Sequence, residues 1–369
     1  MKISLFQENL NKGLSIASRF ISSHPQLPIL NNIALKTEKN QLKISATNLE
    51  IGVNYYTGGK IEQEGEVIVL AKPFLEFVSL LPLEKIFLTS KKESLNLVCG
   101  NHQATLSTGP VGDFPKVPTK VERKISFPYD DLIKAIKVVV FAASNEDSRP
   151  VLGGVNFKFS PNSCLLLATD GYRLSFRKIK INGDYSNLEF IIPATILIEL
   201  LRLKPENKLI NLDLGLANEE KQAVFFLPNL EFSSRLLEGE YPNIDKIIPQ
   251  KKETMITVDR EKLLETIRTA SVFARESANT IKLEIGEDKI RVLANTPSLG
   301  ENISLIEAKI EGKKQRIAFN FRFLIDLLTN IESDQIIIEL QESLGPAVFK
   351  NPKDKDFLHI IMPVKIQEE

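Results

Sequence analysis

Three histidines, two cysteines and a few acidic clusters are the side chains in this sequence suited to metal, nucleophilic or acid–base chemistry. His24, His102 and His359 lie far apart, none stands at a metal-binding spacing from another histidine or a cysteine, and no H-E-x-x-H pair occurs. No metal site is expected. Cys99 and Cys164 each sit inside an apolar segment. They read as small buried strand residues and neither as a disulfide nor as ligands. No G-x-S-x-G elbow and no G-x-x-x-x-G-K-[ST] loop is present. Gly58-Gly59 and Gly153-Gly154 lack the rest of any phosphate-cradling pattern, which leaves turns or bulges as their use. Asn145-Glu146-Asp147 offers two adjacent carboxylates, yet it follows a helical pattern among serine and arginine, the setting of a solvated loop. The expectation is a binding protein with no catalytic residue and no cofactor. A hydrolase using Asp170 or Glu240 is the competing reading.

The elements that carry these residues repeat. The segments LKISATNLE (42–50), LLLATDGYR (165–173) and IRVLANTPS (290–298) each set a strand-like run before an alanine, at Ala46, Ala168 and Ala294, and a polar turn. A second landmark is an apolar helix with one acidic residue, at Phe74-Leu75-Glu76, Leu197-Ile198-Glu199 and Leu324-Ile325-Asp326. Both recur at roughly 125 residues, so three homologous domains are expected. Each copy opens with apolar residues at helical spacing: Leu10, Leu14, Ala17 and Ile21; Leu132, Ile136, Val139 and Ala143; Leu263, Ile267, Ala270 and Phe273. The second helix of each copy is expected to begin after Lys72-Pro73, after Ile192-Pro193 and at Asn320. Polar stretches at Pro118-Thr119-Lys120 and Pro249-Gln250-Lys251-Lys252 mark the restarts, giving domains 1–119, 120–249 and 250–369. The fold class is α+β, with two helices packed on antiparallel strands three times over.

Composition narrows the partners. The 369 residues are 43% apolar and 25% charged, enough for two or three packed cores, and 47 basic residues balance 47 acidic ones. A uniformly basic nucleic-acid binder is excluded, so any DNA contact must arise from segregated charge. The longest apolar runs, such as 138–141 and 190–192, fall far short of the roughly 20 residues of a membrane span. Met1-Lys2-Ile3-Ser4-Leu5 has no secretory pattern, and a cytoplasmic protein with no membrane association is expected.

Several local words are specific. TDGYRL (169–174), EGEYPNIDKIIP (238–249) and IIMPVKI (360–366) resemble the beta sliding clamp family of bacterial DNA polymerase III. So do LPIL (27–30), TNLE (47–50), GDFP (112–115) and SRPVLGGVNF (148–157), in order from Met1 to the last residues. The resemblance implies a DNA sliding clamp without a catalytic step: a head-to-tail homodimeric ring of six clamp domains, helices inside and sheets outside. Such a ring encircles duplex DNA without reading sequence, and its partners are the replicative polymerase, the clamp loader and other proteins bearing clamp-binding motifs. A clamp relative acting as a non-replicative scaffold fits the same words.

Site residues follow from that resemblance. The ring would close where Ala104, Leu106 and Thr108 of one copy meet Val272 and Phe273 of the other. The bore would be lined by Lys12, Arg19, Lys72, Lys134, Lys137, Arg202, Lys262 and Arg268, with Arg322 on a second helix and Arg149 in a basic loop, alongside an opposing Glu265. Phosphate attraction suits sliding because it is independent of sequence and screened over about 8–10 Å. The partner-peptide cleft would comprise Leu152, Thr169, Gly171, Tyr172, Arg173, Leu174, Pro242 and Ile247, joined by Asn320, Phe323, Ile360, Met362, Pro363, Val364 and Lys365. Three positions depart from the family pattern: His24 replaces a DNA-contacting arginine, Tyr172 stands where histidine is frequent, and Ala104 is smaller than usual.

Overall fold

The computed structural model describes residues 1–365 except 23–26, 92, 147, 204–209, 218–220, 245–246, 250 and 342–344. His24, Asp147, Gln250 and the last residue of the IIMPVKI word therefore lie outside the described residues. The fold is α+β and mostly sheet, with six α-helices among the described residues: α1 (Gln7–Ala17), α2 (Ala71–Ser79), α3 (Tyr129–Val139), α4 (Ala194–Arg202), α5 (Arg260–Ala274) and α6 (Phe321–Asn330).

The chain forms two compact units, one of residues 1–127 and 211–236, the other of 128–210 and 237–369. Among the described residues, the first holds a sheet of 13 strands and the second a sheet of 12. The middle repeat thus divides: its late strands Asn211–Ala217, Gln222–Leu227 and Leu230–Arg235 continue the first repeat's sheet, Leu230–Arg235 pairing antiparallel with Ile51–Gly58. Its strand Arg173–Lys180 pairs antiparallel with Asp354–Ile361 of the third repeat. Among the described residues the strands pair antiparallel, and alternation follows: in Ser94–Cys99 and Gln335–Leu340 every second residue is buried.

The helical spacing read from the sequence marks the buried faces. Leu10, Leu14, Ala17, Leu132, Ile136, Val139, Leu263, Ile267 and Ala270 are all in the core. Each such leucine or isoleucine contributes about 1.5–3 kcal/mol by leaving water. Ile21 lies past the end of α1 and is only half-buried, and Ala274 takes the core place expected of Phe273. The second helix of the first repeat starts earlier than expected, and the other two start where the sequence places them. α2 already begins at Ala71, with Pro73 inside its first turn where no intrahelical donor is lost, while Pro193 is the cap of α4 and not its first residue. Asn320 caps α6, its side chain accepting from the Arg322 N–H at 3.0 Å, and Asp259 caps α5 by accepting from the Lys262 N–H at 2.9 Å.

Both cysteines are buried free thiols, and burial pushes both pKa values up. Gly154 is no phosphate cradle: a Cβ there would stand 2.5 Å from Ile191 Cγ2 and 2.8 Å from the Ile192 carbonyl, so close strand packing requires glycine. Asn145 and Glu146 are exposed, as a solvated loop demands. Among the described residues, no helix is long and apolar enough to cross a membrane.

Candidate partner-binding site

The loop between strands Ser163–Thr169 and Arg173–Lys180 is built by its own side chains. Asp170 Oδ1 accepts from the backbone N–H groups of Tyr172 and Arg173, both at 2.9 Å. The Thr169 hydroxyl donates to the Arg173 carbonyl at 2.6 Å and accepts from the Gly171 N–H at 3.1 Å. Gly171 has φ +92°, a left-handed conformation that side chains disfavour. This tight turn presents Tyr172 outward, 63% exposed.

Behind the turn lies an apolar floor. Leu174 stands opposite Ile360, and Ile360 opposite Val348, across three adjacent strands. These three pack with Leu167 and Ile244 as one buried cluster, lined by the partly buried Phe176, Tyr241, Ile248 and Leu358. The Tyr241 hydroxyl accepts from the Thr169 N–H at 3.0 Å and donates to the Gly154 carbonyl at 3.4 Å, and burial pushes its pKa up. Around the floor, Pro242, Ile247, Met362 and Lys365 are exposed, and Pro363 and Val364 half-buried. Leu152 is buried in the turn Pro150–Gly153, where its carbonyl accepts from the Ser144 N–H at 2.8 Å.

Two backbone bonds gather the expected groups. The Met362 N–H donates to the Tyr172 carbonyl, and the Val364 N–H to the Ala318 carbonyl, each at 2.8 Å. The terminal segment is thereby tied to the 169–173 loop and to the strand that leads into Asn320 and Phe323.

Arg173 binds the same parts together from beneath. Its guanidinium donates to Asp170 Oδ2 at 3.0 Å, to Asp326 Oδ2 at 2.6 Å and to the Phe141 carbonyl at 2.7 Å. It also lies 4.6 Å from the centre of the Phe323 ring. At 8% exposure Arg173 is a brace more than a surface contact. Asp326, its partner on α6, was not picked out as a site residue, although it is the acidic landmark of the repeated helix. Its counterpart Glu199 in α4 pairs instead with Arg202. Beside this brace His359 is fully buried between the rings of Phe141 and Phe349, 5.4 and 6.3 Å away. Neither ring nitrogen has a partner among the described residues. Burial, then the charge of Arg173, lowers its pKa to about 3, so it is neutral.

An apolar floor ringed by exposed aliphatic and aromatic groups, with few polar groups in fixed positions, can bury the side chains of a short extended peptide.

The cations expected to face DNA are distributed over both units. In the first, Lys12 is half-buried on α1, Arg19 is exposed just past its end, and Lys72 is exposed in the first turn of α2. In the second, Lys134, Arg202, Lys262, Arg268 and Arg322 are exposed. Lys137 is held by Glu332 at 2.6 Å, and that hydrogen bond first, then the lysine's charge, lowers the carboxylate's pKa. Lys134 and Lys137 share a cavity of about 270 Å³ with two cations the sequence reading missed, Arg177 and Lys353. Arg149 stands apart from the helices, its guanidinium 3.6 Å from where a Cβ on Gly171 would lie, beside the cleft loop.

Comparison with known proteins adds a consistent set of matches. Residues 1–118, 126–243 and 245–365 match, in turn, the N-terminal, central and C-terminal domain families of the DNA polymerase III beta subunit. The beta sliding clamp of Halalkalibacterium halodurans is 30% identical over 378 residues, covering 98% of this chain and 97% of that one. That of Bacillus subtilis is 28% identical over 379 residues, 99% of this chain and 100% of the relative. A crystal structure of the DNA polymerase sliding clamp from Bacillus subtilis superposes with a TM-score of 0.94 at 28% identity, covering all of both chains. One of the DNA polymerase III beta chain from Streptococcus pneumoniae gives 0.92 at 26%, covering 99% of this chain and all of that one.

Proposed function

The chain belongs to the beta sliding clamp family of DNA polymerase III, and from that premise we propose that two copies close head to tail around duplex DNA and hold client peptides in the cleft just described. The protein is a DNA sliding clamp that serves DNA replication. It acts by tethering, without a catalytic step of its own, in the cytoplasm.

The observation that carries the ring is a pair of bare strand edges. In the first repeat, His102–Gly109 pairs along 102–107 with one neighbour among the described residues, and the other edge includes half-buried Ala104 and Leu106, with Thr108 just beyond. In the third repeat, Gly300–Gly312 is likewise paired on one side along 300–307 among the described residues, near the exposed Val272 and the half-buried Phe273. One edge on each terminal repeat suits a heterologous contact that closes after two copies and leaves no edge for further growth. The domain limits 1–119, 120–249 and 250–369 are the natural subdivision of that ring.

The cleft binds leucine- or phenylalanine-bearing motifs of the polymerase, the clamp loader and other clients. Leu174 and Ile360 form its floor, and Tyr172, Ile247 and Met362 its rim. Lys134, Lys262, Arg268 and their neighbours supply a salt-screened attraction for the phosphates of the enclosed duplex.

The test is topological. Protein loaded by a clamp loader with ATP onto a nicked circular plasmid is expected to stay until the circle is cut, and then to slide off the ends. Equal retention on circle and linear DNA at moderate salt overturns encirclement. Light scattering is expected to give twice the 41.5 kDa chain mass, and a monomer favours the hydrolase reading.

A further inference from the structure

The outer face of the first repeat's sheet carries a feature that tethering does not use. Five neighbouring strands, Lys60–Gln63, Lys2–Phe6, Lys85–Lys91, Ser94–Cys99 and His102–Gly109, turn Ile3, Leu5, Ile86, Leu88, Leu95, Leu97 and Cys99 into the core. The alternation then assigns the opposite face to Phe6, Phe87, Val98 and a set of charged residues. Phe6 is 56% exposed and Phe87 47% exposed. Their register makes them diagonal neighbours, since Phe87 stands opposite Ser4 and Phe6 opposite Lys85. Lys60 also faces Ser4, so lysines flank the two rings on both sides. Lys85 Nζ lies 6.0 Å from the Phe87 ring centre.

The charges on this face are one-sided although the whole chain is neutral. Lys2, Lys60, Lys85 and Lys91 share it with a single described carboxylate, Glu62, which is bound to Lys2 at 2.6 Å. Paired rings would ordinarily be covered. Two exposed phenyl rings among lysines that outnumber the one carboxylate they share match a polyanion whose monomers carry flat apolar faces.

We propose that this sheet face binds single-stranded nucleic acid, with bases stacked on Phe6 and Phe87 and phosphates held by Lys60, Lys85 and Lys91. Stacking on exposed aromatic rings beside cations tolerates any sequence and needs no base-edge hydrogen bonds. Duplex DNA keeps its bases stacked inside and offers the rings nothing. On the ring reading proposed above, the site would therefore engage an unpaired strand outside the bore.

The experiment uses the full-length protein and a fluorescein-labelled oligothymidine followed by fluorescence anisotropy. Phe6→Ala with Phe87→Ala is expected to raise Kd by at least about tenfold, given the worth of a base–aromatic stack. Lys60→Glu with Lys85→Glu is expected to lower the slope of log Kd against log salt by about 0.7 for each contact removed. Lys158→Glu, an exposed charge on the strand Gly154–Ser160 with no part in the bore or the cleft, is expected to leave both quantities unchanged, as is saturating the cleft with a leucine-bearing peptide. Both pairs are exposed, and unchanged melting curves would verify their folding. An unaltered Kd in the phenylalanine pair, an equal loss in Lys158→Glu, or tighter binding of an acidic phenylalanine-containing peptide than of oligothymidine would each overturn the proposal.

Discussion

Replacing Arg173 by methionine tests whether the cleft is held in shape by a buried cation. The substitution keeps most of the side-chain volume and removes three hydrogen bonds, to Asp170, Asp326 and the Phe141 carbonyl, together with the stack on Phe323. Breaking a buried pair from one side typically costs about 3–5 kcal/mol, because the remaining partner is left uncompensated. Two features place this case at the low end. Asp170 keeps its two backbone donors, and the Asp326 side chain is 43% exposed and can recover water. A loss of about 3 kcal/mol in a unit of about 200 residues corresponds to a fall of roughly 6–12 °C in Tm. Scanning calorimetry would read it, and fluorescence anisotropy with a leucine-bearing peptide would show a matching loss of affinity as Phe323 and the 169–173 loop come apart. Arg173→Lys keeps the charge and not the planar fork, so it should recover only part of each. A methionine variant that melts within about 2 °C of the parent, well under the expected fall, refutes the brace.

Three other outcomes follow from the geometry. Met362→Ala should weaken client peptides by about tenfold in anisotropy, the worth of one well-buried side chain, while light scattering still reports the dimer. Lys134→Glu should reduce retention on circular DNA and flatten its salt dependence more than Lys137→Glu does, because Glu332 already neutralises Lys137. His359 gives a pH effect of definite sign. Its folded pKa of about 3 lies below its usual value of 6.5, so the unfolded chain takes up the proton first. Its contribution to stability is fully present above about pH 6.5 and falls by up to about 1.4 kcal/mol per pH unit below it. Urea unfolding of His359→Phe should show a shallower acid slope than the parent, and identical slopes would exclude the histidine.

Periodic features were legible in the sequence and long-range pairings were not. Alanine landmarks and helical spacing located the repeats and the buried faces of α1, α3 and α5 because apolar periodicity is a local consequence of which side faces the core. Asn320 was legible as a helix start since capping is local too. Helix starts beside proline were misplaced at Pro73 because the ring is tolerated anywhere in the first turn, so it does not define the first residue. The brace was illegible: Arg173 and Asp326 are 153 residues apart, and the acidic residue of the repeated helix does different work in each copy where its partner is known. For the same reason the cleft words gave Leu174 and Ile360 and missed Leu167, Ile244 and Val348, which ordinary strand composition conceals.

The division of the middle repeat between two sheets means that similarity of sequence and independence of folding come apart in this molecule. A fragment spanning 120–249 would carry the full family signature of one domain. It would nevertheless expose two raw hydrogen-bonding edges, that of Leu230–Arg235 where Ile51–Gly58 belongs and that of Arg173–Lys180 where Asp354–Ile361 belongs. Such edges recruit other strands. The copied segment is therefore an inherited unit without being a separable one, and lesions in the first or last third would be felt by the central third through the sheet it shares with each.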